Sequence, residues 1–345
     1  MCFLSKEFRR NKNYYESPIR KLWLHPKTVC VILFVDNAIH QEADMQHSEL
    51  CTQTSPVWRE KYADVFAIQD SDGCNKTVFR YEIPFRAPKD AIIQKKHALS
   101  AQDRVKYYQS LAQSVHRHVE ICNLLKAKGT PSVLLCEAVT QETDSETGNS
   151  QIFIQTESVM PIQEVLFKDG INILTLLDVF IRLSVIVRDL SREDCGVSHR
   201  GISMDHIYIN KENKIVLGGF YYATAPEFAE ILPYLPDHPR HLPLTLLQGA
   251  TGSAGTDMQT LARLLCNFLS GLPWDTQWPV TPRVAPAYAP EGLAEILWFG
   301  MNCEDADCNM FRRQLLNYRK ELSKTEQAKL IVPIHTPLKK QYAYR

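Results

Sequence analysis

The chain has 345 residues, 45% hydrophobic and 23% charged, the balance of an ordinary soluble globular protein with enough apolar material for a two-lobed core. Lysine plus arginine and aspartate plus glutamate both number 39, so no global basic field steers the chain to nucleic acid or to an anionic membrane. Residues 1–20 are charged and polar with no apolar segment before a small-residue cleavage site, and the apolar run 29–35 falls far short of the roughly 20 residues a spanning helix needs. The expectation is a cytoplasmic protein in which residues 29–35 form a buried strand.

In chain order, residues 65–69 and 77–83 read as strands around the turn Asp70, Ser71, Asp72, Gly73. A long helix is predicted from Ser100 and Asp103, with apolar positions Val105, Leu111, Val115, Val119 and Leu124, ending at Gly129 ahead of Pro131. Residues 133–139 and 152–155 read as a second hairpin across the polar connection 142–150. From Leu174 the pattern turns helical: Leu177, Phe180, Ile181, Leu183, Val187 and Leu190 recur on one face. Residues 256–270 form a strongly apolar helix closed by Gly271, and 290–318 hold two more, broken around 304–307. The fold class is therefore α+β, a small antiparallel sheet with one helix followed by a mainly helical part.

The ten cysteines include no CxxC pair, and Cys303 and Cys308, the closest two, lack partners at zinc-ligand spacing, so buried free thiols are expected. His116 and His118 stand two apart on a helix, where side chains diverge by roughly 200°, and make a poor metal pair. They read as exposed or half-buried, and no metal site is expected.

Residues 199–223 (HRGISMDHIYINKENKIVLGGFYYA) resemble the catalytic loop and metal-binding strand pair of protein kinases, H-R-D-L-x-x-x-N followed by D-F-G. His199, Arg200 and Phe220 match, as do the apolar spacers Ile202, Ile207, Ile209, Ile215 and Leu217, with Asn213 in the hairpin turn. The resemblance runs over residues 57–320. Residues 78–84 are similar to the strand carrying the V-A-x-K lysine, Glu120, Ile121 and Leu124 to the end of the helix supplying its Glu partner, and Asp257, Thr260, Leu261 and Ala262 to the start of the central helix of the large lobe. It implies a protein-kinase-like two-lobed fold, with a small β-rich lobe at 57–161 and a larger helical lobe at 162–320. Residues 1–56 would be an extension and 321–345 a tail. It also implies that Asp257 supports the 199–201 backbone and that Leu261, Leu264, Leu265 and Phe268 form the spine of the large lobe.

Phosphoryl transfer needs a positioned nucleotide, metal ions held on its phosphates and an oriented hydroxyl. Gly201 stands where the base-like carboxylate belongs and offers no side-chain acceptor. Gly219 and His206 replace the two oxygen ligands of magnesium, and imidazole serves that hard ion poorly. Tyr81 occupies the place of the lysine, Arg80 points to the other face of its strand, Lys76 is near only in sequence, and residues 58–64 contain no glycine to approach phosphate. Ala225, Pro226 and Glu227 spell A-P-E too soon after Phe220 to be the family's triplet, and the arginine that would pair with its glutamate aligns with Cys308.

The resemblance and its losses together imply a pseudokinase: a regulatory or scaffolding module that binds another protein, with no catalytic residues and neither ATP nor magnesium as cofactor. Two alternatives stand beside it. One is a divergent kinase-fold phosphoryl or nucleotidyl transferase built on Asp205, Glu120 or His206. The other is a small-molecule-binding module using a vestigial adenine cleft near Glu157, Ser158, Val159 and Met160.

Overall fold

The structure is a computed structural model that describes residues 55–84, 101–166, 170–235, 238–273, 276 and 285–334. All of them belong to one unit, Met45–Arg345. The strand expected at 29–35, the cap at Ser100 and the last residues of the tail lie outside the described residues. The architecture is mixed α+β with antiparallel sheets.

A five-stranded sheet of order β1-β2-β3-β5-β4 is built from β1 (Trp58–Arg59), β2 (Asp64–Gln69), β3 (Asn75–Ile83), β4 (Ala138–Thr143) and β5 (Ser150–Glu157). The turn between β2 and β3 forms because Gly73 takes φ +74° while Asp70 caps it, its carboxylate accepting from Cys74 N at 2.8 Å and its carbonyl from Gly73 N at 2.9 Å. Alternation then sorts the side chains. Phe66, Val78 and Phe153 make a small cluster on one face, while Val65, Phe79, Tyr81, Ile152 and Ile154 join the main core on the other. Helix α1 (Ala101–Ala127) covers that second face with Leu111, Val115, Ile121, Cys122 and Leu125, all buried, and breaks at Gly129 (φ +61°).

The strand read at 133–139 starts later than expected. After Pro131 and Ser132 (φ +61°), residues 133–134 are drawn to the other part of the molecule, where Val133 bridges Leu217 in parallel and Leu134 N donates to Leu217 O at 2.9 Å. An apolar run carries no label of which partner it will pair with, and here two partners share it.

Beyond β5 come β6 (Val159–Pro161), α2 (Ile162–Leu166), β7 (Ile171–Asn172) and α3 (Ile173–Leu190). Strands β8 (Ile207–Asn210) and β9 (Ile215–Leu217) form a three-stranded sheet with β6, in the order β6-β8-β9. The short α4 (Leu244–Leu247) precedes α5 (Ala254–Leu269), which is followed by α6 (Leu293–Met301), α7 (Cys308–Leu322) and β10 (Ile331–Val332). The stretch assigned to a tail from residue 321 is part of this fold as far as Ile334. Its strand β10 pairs with β7, Ile173 N donates to Leu330 O at 3.0 Å, and Val332 is fully buried. The apolar run 330–334 (LIVPI) is short and interrupted by Pro333, and it shows no polar/apolar alternation by which to read a strand.

Helix α5 is the centre of the helical part. It starts at a reciprocal capping box, Ser253 Oγ accepting from Thr256 N at 3.3 Å and Thr256 Oγ1 accepting from Ser253 N at 2.8 Å. It then buries Leu261, Leu264, Leu265 and Phe268, the last edge-on to Phe180 of α3 at a centroid distance of 6.1 Å. Phe268→Ala is expected to destabilise the protein by about 3 to 5 kcal/mol. Urea unfolding of the variant checks this, and an unchanged midpoint would contradict a central place for α5. Among the described residues no helix is long and apolar enough to cross a membrane.

Candidate functional site

The loop at residues 198–201 is held from below by Asp257. Sitting in the first turn of α5, its carboxylate accepts from His199 N (2.7 Å), Arg200 N (2.9 Å) and Ser198 Oγ (3.1 Å). Burial pushes it up to about 6 even so, with the two backbone bonds opposing. These bonds hold Arg200 in the left-handed region at φ +59°, which costs an L-residue about 1 to 2 kcal/mol. Arg200 is itself fully buried, donating to Tyr222 O at 2.9 Å and lying over the Tyr234 ring, whose hydroxyl returns a bond to Arg200 O.

Above this loop Gly201, His206 and Gly219 interlock. A Cβ at Gly219 (φ +72°) would lie 2.3 Å from Cγ of His206, so the imidazole fills the space a side chain at 219 would need. His206 is fixed there by donating from Nδ1 to Gly201 O at 3.0 Å. His199 is wedged beside it, its Nε2 donating to Gly218 O at 2.8 Å and its Nδ1 accepting from Gly201 N at 3.3 Å. Burial drives His199 and His206 down to about 3 and His241, bonded to Ile202 O, to about 4, so all three are neutral at neutral pH. A Cβ on Gly201 would meet the Tyr222 ring at 3.0 Å. Phe220 packs on His199 at 4.8 Å.

The β1–β2 turn, residues 60–63, closes down on the same place. Tyr62 Oη shares a 3.0 Å hydrogen bond with Tyr222 Oη, Tyr81 Oη one of 2.8 Å with Tyr221 Oη, and Tyr208 donates to Glu60 Oε1. Glu60 is half-buried as a residue, but its carboxyl is the enclosed end, and burial lifts it to about 8 against the Tyr208 bond. Uncharged hydroxyls, neutral imidazoles and a protonated carboxyl therefore occupy the space between the two parts of the molecule. That composition can satisfy itself but supplies little to hold phosphate or magnesium. Glu60, Tyr62, Tyr208, Tyr221 and Tyr222 were not singled out from the sequence. Their pairs are at least 140 residues apart along the chain, out of reach of any local pattern.

Other predicted residues lie apart. Glu120 is exposed and faces Arg117 at 3.5 Å, and the α1 residue that reaches the loop is His118, whose Nδ1 accepts from Phe220 N at 3.2 Å. The geometry therefore corrects the expected place of Glu120. Asp205 is exposed, accepting from Gln163 Nε2 at 3.2 Å. Arg80 pairs with Asp64 at 2.7 Å over Phe66, on the face of the sheet away from Tyr81, and Lys76 pairs with Glu137 at 2.8 Å. Ser158, Val159 and Met160 line an open cleft of about 630 Å³ with Trp58 and Ile68. Val159 N at its edge is already taken by Thr77 Oγ1 at 3.1 Å, and Glu157 accepts from Asn210 at 3.2 Å.

One further group corrects the reading of the histidines. His118 is buried, and with Cys122 one turn on and Cys136 beyond the helix it forms a cluster whose ligand atoms all lie within 4.8 Å. The i,i+4 spacing of His118 and Cys122 is the sequence signal that points to this cluster. Burial pushes the Cys122 thiol up, while Cys136 is drawn down, first by the Cys122 thiol and then by His118. Cys303 and Cys308 are buried free thiols 4.0 Å apart. No protein-family model matches the chain, and no curated protein matches it.

Proposed function

We propose that this chain is a catalytically inactive protein-kinase-like domain, a pseudokinase, that acts in the cytosol by binding another protein. The observation that carries the reading is the interlock of Gly219 with His206 above a loop still held by Asp257. The support of the loop is kept, and the volume a metal-holding carboxylate would need is occupied by an imidazole. The five-stranded sheet with α1 on one face, the short link into β6, and the α5 helix beneath the 199–201 loop support a two-lobed kinase-like arrangement. A module of this kind works through its surfaces, and its function is set by what docks there.

Saturating ligand at 100 times its dissociation constant stabilises a fold by about 2.7 kcal/mol, which thermal unfolding detects readily. Millimolar ATP with magnesium is expected to leave the melting temperature unchanged, and no phosphoryl label should pass to the chain or to generic substrates. A shift abolished by chelator and weakened by Asp205→Ala would instead favour the divergent transferase.

A further inference from the structure

We propose that His118, Cys122 and Cys136 form a closed site for a thiophilic d10 metal ion, Zn2+ or Cu+. Two thiol sulfurs and an imidazole are the donors such ions select over oxygen-seeking ones. The three residues are 5%, 1% and 5% exposed, so the site is closed to bulk water. Their spacing is close to that of a loaded site. Cys122 Sγ is 3.7 Å from His118 Nδ1 and 3.9 Å from Nε2, and Cys136 Sγ is 3.9 Å from Nε2. Metal bonds of roughly 2.0 to 2.3 Å place neighbouring S and N ligands about 3.6 to 3.8 Å apart, so the two S–N separations are within a few tenths of an ångström of a loaded site, and all three donor atoms lie within 4.8 Å of one another. Two donors sit one turn apart on the rigid α1, and the third is brought up by the segment that Val133 and Leu134 tie to β9. Among the described residues no other group of three such side chains comes together.

Loading the site reaches residues 219–221. Phe220 N donates to His118 Nδ1. If Nδ1 binds the ion, that bond is displaced directly. If Nε2 binds it, the ring proton moves to Nδ1 and faces the Phe220 N–H. In either case the protons held by the two cysteines pass to solvent, no electrons change hands, and the Phe220 amide must find another acceptor. The ion thereby biases residues 219–221, the same segment that Tyr81 and His206 hold.

The test uses the full chain, reduced and stripped of metal. It is equilibrated separately with Zn2+ and with Cu+ and assayed for bound metal after desalting, with Co2+ as a spectroscopic probe for thiolate-to-metal charge transfer. One equivalent of Zn2+ or Cu+ is expected, retained in the Cys303→Ser/Cys308→Ser variant and bound at least roughly tenfold more weakly by Cys136→Ser and by His118→Gln. If those variants fail to fold, alkylation of the wild-type chain in a urea concentration that opens the fold, with and without metal, followed by peptide mass mapping decides. The metal should protect Cys122 and Cys136 specifically, and hydrogen exchange at the Phe220 amide should quicken on loading. Substoichiometric binding, protection of other cysteines only, or recovery of a Cys122–Cys136 disulfide in place of bound metal would each overturn the proposal.

Discussion

Gly219→Asp, which sets a carboxylate where the resemblance to the D-F-G pattern would place one, is expected to yield a less stable protein rather than one that binds magnesium. Three costs add. The left-handed backbone at φ +72° disfavours any L-residue by about 1 to 2 kcal/mol. The new Cβ would stand 2.3, 2.5 and 2.8 Å from Cγ, Cδ2 and Nδ1 of His206, a ring with no free direction to retreat because it is bonded to Gly201 O and packed near His199 and Tyr221. Overpacking of this kind costs about 1 to 3 kcal/mol. The carboxylate would then be buried among neutral groups with nothing arranged to pair with it. The sum is about 3 kcal/mol or more, read as a lowered urea midpoint. Gly219→Ala should show the first two costs alone. Adding His206→Asn to Gly219→Asp should return part of the loss, and a double-mutant cycle measures that coupling. A silent Gly219→Asp would mean that His206 does not fill this space.

Acid is expected to unfold the chain, and the sign follows from which state holds the protons. His199, His206 and His241, pulled by burial to about 3, 3 and 4, stay neutral in the fold while the unfolded chain protonates them below about 6.5. Half-buried His116 and the lowered Cys136 act in the same direction. Glu60 and Asp257, raised to about 8 and about 6, act in the opposite one, keeping protons in the fold that the unfolded chain has lost. Between about pH 6 and 4.5 the unfolded state therefore binds three imidazole protons against two carboxyl protons in the native state. That net of about one proton, to which His116 and Cys136 add, removes roughly 1.4 kcal/mol per pH unit or more as pH falls. Below the ordinary carboxylate range the two acids no longer offset the histidines, but His241 and then His199 and His206 begin to take up protons in the fold at about 4 and 3, so the slope stays at roughly 1.4 to 2 kcal/mol per unit and fades below about pH 3. Summed from pH 7 the loss comes to roughly 5 kcal/mol by pH 3, so a protein at the low end of ordinary stability is expected to unfold by about pH 3. Urea midpoints measured across this range check the limb. Glu60→Gln removes one opposing proton and should make the pH 6 to 4.5 slope steeper by about one proton; an unaltered slope would show that Glu60 is not held protonated by the fold.

Much of the scaffold was legible in the chain because local physics writes it there. The Asp70 and Gly73 turn, the apolar faces around Leu177 and Leu264, and the break at 304–307 depend on residues a few positions apart, and each element lies within a few residues of its expected bounds. The sequence also determined that no carboxylate stands at 201 or 219, since a glycine carries none in any fold. What only the tertiary structure decided is what stands in their place. That His206 occupies the space beside Gly219, that Tyr81 meets Tyr221 and Tyr62 meets Tyr222, and that Glu60 is enclosed against Tyr208 are contacts between distant segments. So is the arrival of Cys136 beside His118 and Cys122. Side-chain periodicity records which face of an element is buried, but not which other face it meets. That choice belongs to the packing of the whole core, where volume and hydrogen-bond satisfaction are settled together.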